Sequence, residues 1–455
     1  RTFRRKKDAE ELSCGFEDKL KRYAESGIKN YTHSVDLWMK NSGLIIDCDE
    51  KKNALRNLFK NSKVAFIYGA AGTGKSTMIN YISSLFKDKQ KIFLANTNPA
   101  VENLRRKVTA EHAEFVTITK FLSKDVSNDC DILCLDECST ISNRDMVRVL
   151  QRAQCKLLVL VGDIYQIESI LFGNWFNIAY KVMPKDSVAE LTRPHRTTVQ
   201  GLIEVWNKVR EITEDRLEFI TRNGLSSTLD ESIFSRTEED EIVLCLNYDG
   251  IYGINNINKF LQSNNVNPSI NWGVLSYKVG DPVLFNESNR FAPLVYNNLK
   301  GKILQIEEEE DCIYFTIEVY TVLNELDVIG FDLELKESVT DETSVIRFKV
   351  GRGGDGNDDN DNVENVVPFQ VAYAISIHKA QGLEYESVKV VITSEIEEMV
   401  SHNIFYTAIT RAKSKLKIYW SPETEKRILE NMKVQFNDKD YQLFKAKYKE
   451  ALLKS

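Results

Sequence analysis

The sequence predicts an α/β fold that is divided into more than one domain, and three observations support this. Short apolar segments that are typical of buried parallel strands, such as Val64–Tyr68, are followed by segments with helical spacing, such as Thr77–Phe86. A glycine-rich loop joins these two segments in the order strand, loop and helix. The chain has 455 residues, which is too long for one ordinary core, so we expect about two to four domains.

The composition is that of an ordinary globular protein, with 42% apolar and 28% charged residues. No apolar run approaches the ~20 residues of a membrane span, and no signal peptide opens the chain. We therefore expect a cytoplasmic protein with no membrane partner. The net charge of −7 argues against a surface covered in basic residues, but a local groove is enough to contact nucleic-acid phosphates.

Residues 1–46 begin with the basic run Arg1–Lys7 and then show helical periodicity. The basic run is a candidate for nucleic-acid contact, although a solvated linker is the simpler explanation. Because the first residue is Arg1 rather than methionine, we expect an upstream domain or a partner protein.

The eight cysteines are scattered along the chain and form no C-x-x-C pair. Cys130, Cys134 and Cys138 recur every four residues, but they fall on a predicted strand and the loop after it rather than on a helix. We therefore expect core thiols in a reducing compartment rather than a metal site.

The loop Gly69–Ser76 has the pattern G-x-x-x-x-G-K-[ST]. Its glycines let backbone N–H groups turn toward a polyphosphate, and the following helix adds the positive end of its dipole. In this arrangement Lys75 reaches the β- and γ-phosphates, and Ser76 is a ligand of Mg²⁺. The predicted nucleotide-binding residues are Gly69, Gly72, Thr73, Gly74, Lys75, Ser76 and Thr77.

A second apolar strand, Asp131–Leu135, ends in the two carboxylates of Asp136 and Glu137. An aspartate at such a strand end, beside a phosphate loop, can hold the hydrated Mg²⁺. The neighbouring glutamate is then placed to polarise the attacking water as a general base. Acid pairs end many strands without any function, so this pair indicates a nucleotide site only in combination with the phosphate loop.

Five further segments follow a fixed order along the chain. They are Asn96–Leu104, Gly162–Gln166, Leu191–Arg196, Ile377–Glu384 and Tyr406–Lys413. Together with the phosphate loop and the acid pair, their order and spacing resemble the superfamily 1 helicases, and most closely the RecD-like branch known as superfamily 1B. The resemblance extends over residues 47–420.

The resemblance implies a role for each segment. Asn96–Leu104 corresponds to motif Ia and Thr117–Leu122 to motif Ic, both of which contact the backbone of a single strand. The implied catalytic residues are Lys75, Glu137, the motif III γ-phosphate sensor Gln166, and the motif IV and VI arginines Arg196 and Arg411. Gly382 and Glu384 of motif V are implied to bind nucleotide. The implied nucleic-acid contacts are Thr97, Asn98, Thr119, His378 and Lys379.

The same resemblance implies two RecA-like P-loop NTPase lobes with an inserted small SH3-like β-barrel. Residues 47–190 would form lobe 1A, residues 191–298 and 366–455 lobe 2A, and residues 299–365 the insert 2B. The expected elements of the insert are strands at Ile303–Ile306, Cys312–Val319 and Val345–Val350, with a turn at Glu307–Asp311.

The sequence departs from the family pattern in two places. Family members usually have a glutamine that reads the adenine edge, whereas Lys51 stands at that position here, so we expect weak adenine selectivity. RecD-like helicases also usually carry a wedge between motif Ic and the acid pair. Only Ser123–Cys130 separates Leu122 from the next strand, which is too short for a strand-splitting hairpin.

We therefore predict an ATP- and Mg²⁺-dependent ATPase of the DNA-helicase type. By resemblance it is a monomeric motor that travels 5′→3′ along single-stranded DNA, and without a wedge it is weak in unwinding. Two alternatives stay open. One is a nucleic-acid-stimulated ATPase switch that regulates a partner domain, and the other is an RNA helicase of the same superfamily.

Overall fold

The computed structural model describes a chain that divides into two compact units. Unit 1 comprises Arg1–Arg210, Ser401–Thr407 and Lys433–Ser455, and unit 2 comprises Glu211–Val400 and Ala408–Met432. The residues described within these ranges are 20, 23–24, 26–70, 72–123, 127–166, 175–181, 183–193, 197–286, 290–292, 294–338, 340–352 and 365–433.

Strands and helices alternate along the chain until an all-β stretch interrupts them. The strands are β1 (Val64–Gly69), β2 (Lys91–Ala95), β3 (Ala113–Thr117), β4 (Asp129–Leu135), β5 (Gln154–Gly162), β6 (Val188–Leu191), β7 (Ser226–Ser227), β8 (Glu241–Cys245), β9 (Ser269–Trp272), β10 (Leu275–Lys278), β11 (Pro282–Phe285), β12 (Lys300–Glu308), β13 (Cys312–Val319), β14 (Glu334–Lys336), β15 (Ser344–Gly351), β16 (Phe369–Val371), β17 (Ala374–Ser376), β18 (Tyr385–Val391) and β19 (Ala412–Tyr419). The α-helices are α1 (Tyr31–Asn41), α2 (Asp49–Asn57), α3 (Lys75–Leu85), α4 (Asn98–Lys107), α5 (Ile118–Leu122), α6 (Asn143–Arg152), α7 (Trp175–Ala179), α8 (Gln200–Glu211), α9 (Arg216–Arg222), α10 (Ile254–Ser263), α11 (His402–Ile409) and α12 (Pro422–Asn431).

Unit 1 is built on a six-stranded sheet in the order β3-β2-β4-β5-β1-β6. Each strand pair in it is parallel. Successive side chains of a strand point to opposite faces. Phe66 and Leu133 accordingly belong to one buried cluster, whereas Ile67 and Ile132 belong to another. Both faces of the sheet are therefore covered, as expected for a parallel sheet whose strands are apolar throughout.

Helix ends in this unit follow local sequence signals. Helix α4 begins where Thr97 accepts a hydrogen bond from the backbone N–H of Ala100 at 3.4 Å, and Pro99 lies in its first turn. Helix α6 begins in the same way, because Ser142 accepts a hydrogen bond from the N–H of Asp145 at 3.1 Å. These caps fix the points at which the chain leaves the edge of the sheet.

Unit 2 contains a second parallel sheet, with five strands in the order β17-β8-β18-β19-β7. Helix α12 follows its last long strand and starts at a cap in which Ser421 accepts from the N–H of Thr424 at 3.1 Å. The α/β prediction with parallel sheets is thus confirmed in both units.

The all-β stretch of unit 2 is a six-stranded sheet in the order β14-β15-β13-β12-β11-β16, with the separate hairpin β9–β10 before it. Its strand pairs are antiparallel. Strand β13 alternates partly exposed and buried residues, and its buried side chains Ile313, Phe315, Ile317 and Val319 lie in the core of this sheet. One face is therefore buried and the other is solvated.

This sheet contains the three strands expected for the insert, which lie within β12, β13 and β15. It also extends beyond residues 299–365, because β11 pairs with β12 on one side and with β16 on the other. The expected turn is shorter than predicted, since β12 continues to Glu308.

The described cysteines are free thiols, and Cys130, Cys134 and Cys138 are buried. Burial raises the pKa of the Cys130 thiol to about 12, so this thiol stays protonated at neutral pH. Within the described ranges, no group of three or more histidine, cysteine or acidic residues could hold a metal ion. Among the same residues, none of the helices has the length and apolar character needed to cross a membrane.

Candidate active site

The phosphate loop leaves β1 at Gly69 and enters α3 at Lys75. Gly72 and Gly74 have φ angles of 75° and 86°, in the left-handed region that side chains disfavour. A Cβ atom on Gly69 would lie 2.4 Å from the carbonyl oxygen of Leu191. The backbone path of the loop therefore requires glycine at these positions.

The Lys75 ammonium folds back over the loop. Its Nζ donates hydrogen bonds to the carbonyl oxygens of Gly69 at 2.8 Å and Ala70 at 2.9 Å. Thr73 Oγ1 donates to the same Ala70 oxygen at 2.9 Å. Ser76 and Thr77 are half-buried. Because both residues belong to the first turn of α3, their hydroxyls lie at the positive end of the helix dipole.

The acid pair follows β4, two strands away from β1 in the sheet. The N–H of Asp136 donates to Leu94 at 2.8 Å, and its carboxylate accepts a hydrogen bond from the N–H of Glu137 at 2.8 Å. Burial raises the pKa of Asp136, while the N–H of Glu137 and the charge of Lys75 oppose this. Lys75 and Asp136 are thus close enough to interact electrostatically.

The backbone of Glu137 is unusual for a residue with a side chain, because its φ angle is 52°. Its carbonyl oxygen accepts hydrogen bonds from both the N–H and the Oγ1 of Thr140, each at 2.9 Å. The carbonyl oxygen of Thr140 in turn accepts a hydrogen bond from Asn96 Nδ2 at 3.0 Å. No sequence motif marks Thr140, so these contacts were not predicted.

Gln166 lies four residues after the end of β5 and is half-buried. Its carbonyl oxygen accepts a hydrogen bond from Asn403 Nδ2 at 3.0 Å. The preceding Tyr165 ring contacts the rings of His402 and Tyr406. The segment Ser401–Thr407, which includes the first part of α11, therefore groups with unit 1. The family resemblance had implied that residues 366–455 all belong to the second lobe.

The predicted nucleic-acid contacts of unit 1 share one edge of its sheet. Thr97 and Asn98 follow β2, and Thr119 follows β3, which pairs with β2 in parallel register up to Ala95 and Thr117. All three side chains are exposed. Because the carboxyl ends of parallel strands meet at one edge, these residues lie on the same side of the sheet as the phosphate loop and the acid pair.

The predicted motif V and VI residues meet inside unit 2. Arg411 is 3% exposed, and its guanidinium donates to the carbonyl oxygen of Leu383 at 3.2 Å. Gly382 has a φ angle of 78°, and the carbonyl oxygen of Glu384 accepts a hydrogen bond from Lys300 Nζ at 3.2 Å.

The two other predicted contacts of motif V lie beside these residues. His378 is exposed, and Lys379 Nζ donates to Gln370 Oε1 at 3.0 Å. Of the predicted catalytic residues, Lys75, Glu137 and Gln166 belong to unit 1 and Arg411 belongs to unit 2. Arg196 lies outside the described residues.

Lys51 is the residue that stands where related helicases have glutamine, and it lies against the phosphate loop. Its side chain is 1% exposed, and its ammonium pairs with Asp47 at 2.5 Å. A Cβ atom on Gly74 would lie 2.6 Å from Lys51 Nζ. Lys51 therefore lies beside the phosphate loop, together with Asp47, which no sequence signal indicated.

Two sequence families match this chain. Residues 48–230 match a family described as an AAA domain. Residues 371–419 match the UvrD-like helicase C-terminal domain. The AAA-domain match includes the phosphate loop, the acid pair and Gln166. The UvrD-like match includes His378–Glu384 and Arg411.

Related proteins align along most of the chain at low identity. The uncharacterized protein MJ1519 of Methanocaldococcus jannaschii is 24% identical over 81% of this chain, which covers 37% of that protein. The RecBCD enzyme subunit RecD of Buchnera aphidicola is 23% identical, with 85% of this chain and 78% of RecD covered. The ATP-dependent DNA helicase Pif1 of Campylobacter jejuni is 23% identical, with 78% of this chain and 88% of Pif1 covered.

Solved structures with a similar fold include two Pif1 helicases. The crystal structure of Pif1 from Candida albicans has a TM-score of 0.52 and 19% identity, covering 89% of this chain and 100% of Pif1. The crystal structure of Bacteroides Pif1 bound to ssDNA has a TM-score of 0.51 and 16% identity, and the alignment covers 90% of this chain and 98% of that Pif1 chain. At these identities the similarity establishes the fold and its parallel-sheet core.

Proposed function

We propose that this chain, which is a P-loop helicase of the RecD-like superfamily 1B, is an ATP-driven motor that moves along single-stranded DNA. The proposal rests chiefly on the sheet of unit 1, because its parallel strands β1 and β4 end at one edge and bring Lys75 of the phosphate loop and the pair Asp136–Glu137 to the same side. A phosphate-binding lysine, a carboxylate for a hydrated cation and a general base are the groups that ATP hydrolysis needs. The Pif1 and RecD relatives support the same reaction.

In the proposed reaction, Lys75 exchanges its hydrogen bonds to Gly69 and Ala70 for oxygens of the β- and γ-phosphates. Glu137 accepts a proton from the water whose oxygen attacks the γ-phosphorus, and the bond from that phosphorus to ADP breaks. The hydroxyl of Ser76 and the carboxylate of Asp136 are hard oxygen ligands that suit Mg²⁺, which would neutralise phosphate charge.

We assign the remaining residues by the same resemblance. Gln166 senses the γ-phosphate, Arg196 and Arg411 stabilise its charge during transfer, and Gly382 and Glu384 contribute to nucleotide binding. The strand is held by Thr97, Asn98, Thr119, His378 and Lys379. The exposure of Thr97, Asn98, Thr119 and His378 supports such contacts.

We further propose that the antiparallel sheet of unit 2 is the SH3-like insert 2B, that the two parallel sheets are lobes 1A and 2A, and that the motor travels 5′→3′ as a monomer. Helix α5 ends at Leu122 and β4 starts at Asp129, which leaves little chain for a wedge. Opening DNA costs about 1.4 kcal/mol per base-pair step. Unwinding of forked duplexes longer than about 20 base pairs should therefore be weak, because this cost accumulates with length.

The test of this proposal is ATP turnover measured with and without single-stranded DNA. We expect strong stimulation by a DNA oligonucleotide, and less by RNA of the same sequence. A protein with equal turnover in both conditions is not a motor of this kind. The alternative, a switch that turns over ATP without travelling, is distinguished by dissociation kinetics, because only a motor dissociates from longer strands after longer delays.

A further inference from the structure

A short hydrogen-bonded path connects the predicted DNA-contacting segment of unit 1 to the predicted general base. Asn96 directly follows β2 and directly precedes Thr97, and its Nδ2 donates to the carbonyl oxygen of Thr140 at 3.0 Å. The N–H and Oγ1 of Thr140 both donate to the carbonyl oxygen of Glu137, at 2.9 Å each. The path therefore consists of three hydrogen bonds, which a side-chain amide, a backbone N–H and a hydroxyl donate to two peptide carbonyls.

Glu137 is the residue whose backbone needs such support. Its φ angle of 52° is left-handed, and a residue with a side chain keeps this conformation only where its surroundings enforce it. Thr140 makes two hydrogen bonds to it, and Thr140 is itself 9% exposed. The orientation of the glutamate side chain follows from this backbone conformation, so a shift of Thr140 would turn the carboxylate.

We propose that Asn96 and Thr140 are positioning residues through which a DNA strand bound at Thr97–Asn98 sets the orientation of Glu137. The inference rests on the proposed function, because it takes that segment as a DNA contact. Helix α4 begins at Asn98, and Asn96 is separated from it by one residue. A phosphate bound at this helix start moves the Asn96 backbone, and the amide of Asn96 transmits that displacement to the turn that holds Glu137.

This path explains how single-stranded DNA can accelerate hydrolysis although the strand touches none of the reacting atoms. The link is local to unit 1, because Asn96, Thr140 and Glu137 all belong to it. Its three hydrogen bonds are all between neutral groups, which limits the size of the effect. Losing one such bond changes a rate by up to about tenfold.

The test uses two pairs of variants in the full chain. Thr140→Val keeps the shape of the side chain but removes the hydroxyl donor, whereas Thr140→Ser retains the donor. Asn96→Ala removes the amide at the start of the path. Its matched control is Asn80→Ala, since Asn80 also bonds a backbone group, accepting from the N–H of Thr109 at 2.9 Å, but lies off the path.

For each variant, kcat is measured without DNA and with saturating oligo(dT), and the oligo(dT) Kd is measured by fluorescence anisotropy. We expect Asn96→Ala and Thr140→Val to lower the ratio of stimulated to basal kcat by about fivefold to tenfold. Their Kd for oligo(dT) should stay within about threefold of the parent. Thr140→Ser and Asn80→Ala should keep the parental ratio.

Three results would overturn the inference. One is a parental stimulation ratio in both Asn96→Ala and Thr140→Val. Another is an equal fall in the basal and stimulated kcat, which would indicate general damage to the site. The third is a loss confined to DNA affinity, which would make Asn96 a simple contact. A parent protein that DNA does not stimulate would overturn the proposed function itself, and is recognised before any variant is made.

Discussion

The two parallel sheets share one architecture but hold their charged residues differently. In unit 2 the side chains of Lys389 and Glu241 are 6% and 2% exposed and pair with each other at 3.0 Å. In unit 1, Lys75 bonds to loop carbonyls and Asp136 to a backbone N–H. Lys389 also donates to the backbone carbonyls of Ser232 and Ser235, but Glu241 is its counter-charge, and losing one partner of a buried ion pair leaves the other charge uncompensated. Lys75 and Asp136 can exchange their neutral backbone partners for a ligand, which indicates that these two charges serve chemistry, whereas the Lys389–Glu241 pair serves structure.

The largest effects expected from this contrast are those of Lys75→Ala and Glu137→Gln. Losing the general base should lower kcat for ATP by about 10²- to 10⁴-fold, while ATP still binds because the loop and Lys75 are intact. Steady-state turnover and nucleotide titration measure the two effects separately. Lys75→Ala is the companion variant, which should abolish turnover because the phosphates lose their main cation. Wild-type turnover in Glu137→Gln would remove Glu137 from the mechanism.

Arg411 tests whether unit 2 also takes part in chemistry. By analogy with arginine fingers, Arg411→Ala should lower kcat by about 10³-fold, with a smaller effect on the Kd for ATP. Arg411→Lys should recover little of this loss, because an ammonium lacks the planar fork of the guanidinium. Full turnover of Arg411→Ala at saturating DNA would make this arginine structural, like its neighbours in the sheet.

Glu241→Gln addresses the structural side of the comparison. It leaves Lys389 buried without its counter-charge, so we expect a loss of about 3–5 kcal/mol in the free energy of unfolding. Urea denaturation followed by circular dichroism measures this loss. The variant should keep the parental kcat at a temperature where it is folded. Glu137→Gln is the matched control, with the same substitution at a strand end of unit 1 and little expected effect on unfolding.

The smallest effect concerns the base of the nucleotide. Lys51 can only donate hydrogen bonds, and the N7 acceptor that suits it is common to adenine and guanine. One lost bidentate contact is worth about 1–3 kcal/mol, so kcat/KM for GTP should lie within roughly tenfold of that for ATP. Lys51→Gln should increase the preference for ATP. A thousandfold preference in the parent protein would mean that another residue reads the base.

The features that the sequence predicted are those whose residues are neighbours in the chain. The strand, loop and helix around Lys75 are contiguous, and so are β4 and the pair Asp136–Glu137, so their local pattern was sufficient. The link from Asn96 to Thr140 was missed because it spans 44 positions and follows no period. The grouping of Ser401–Thr407 with unit 1 was missed for the same reason.

In the antiparallel sheet of unit 2, too, local elements were predicted and long-range pairings were not. Its middle strands have clear alternation, as in Cys312–Val319, and were predicted within their bounds. The pairing of Pro282–Phe285 with Phe369–Val371 joins distant segments of three or four residues, which are too short to carry a period. Local physics therefore predicted the elements and their chemistry, whereas the long-range pairings required the structure.

The central claim, that ATP turnover drives travel along a single strand, is tested most directly by streptavidin displacement. Oligonucleotides biotinylated at the 3′ or the 5′ end are loaded with streptavidin and incubated with the protein and ATP, with Glu137→Gln as the control. We predict rapid ATP-dependent displacement from the 3′ end, slow displacement from the 5′ end and none by the variant. Single-strand-stimulated ATP turnover without displacement from either end would contradict the account, because the protein would then be a switch rather than a motor.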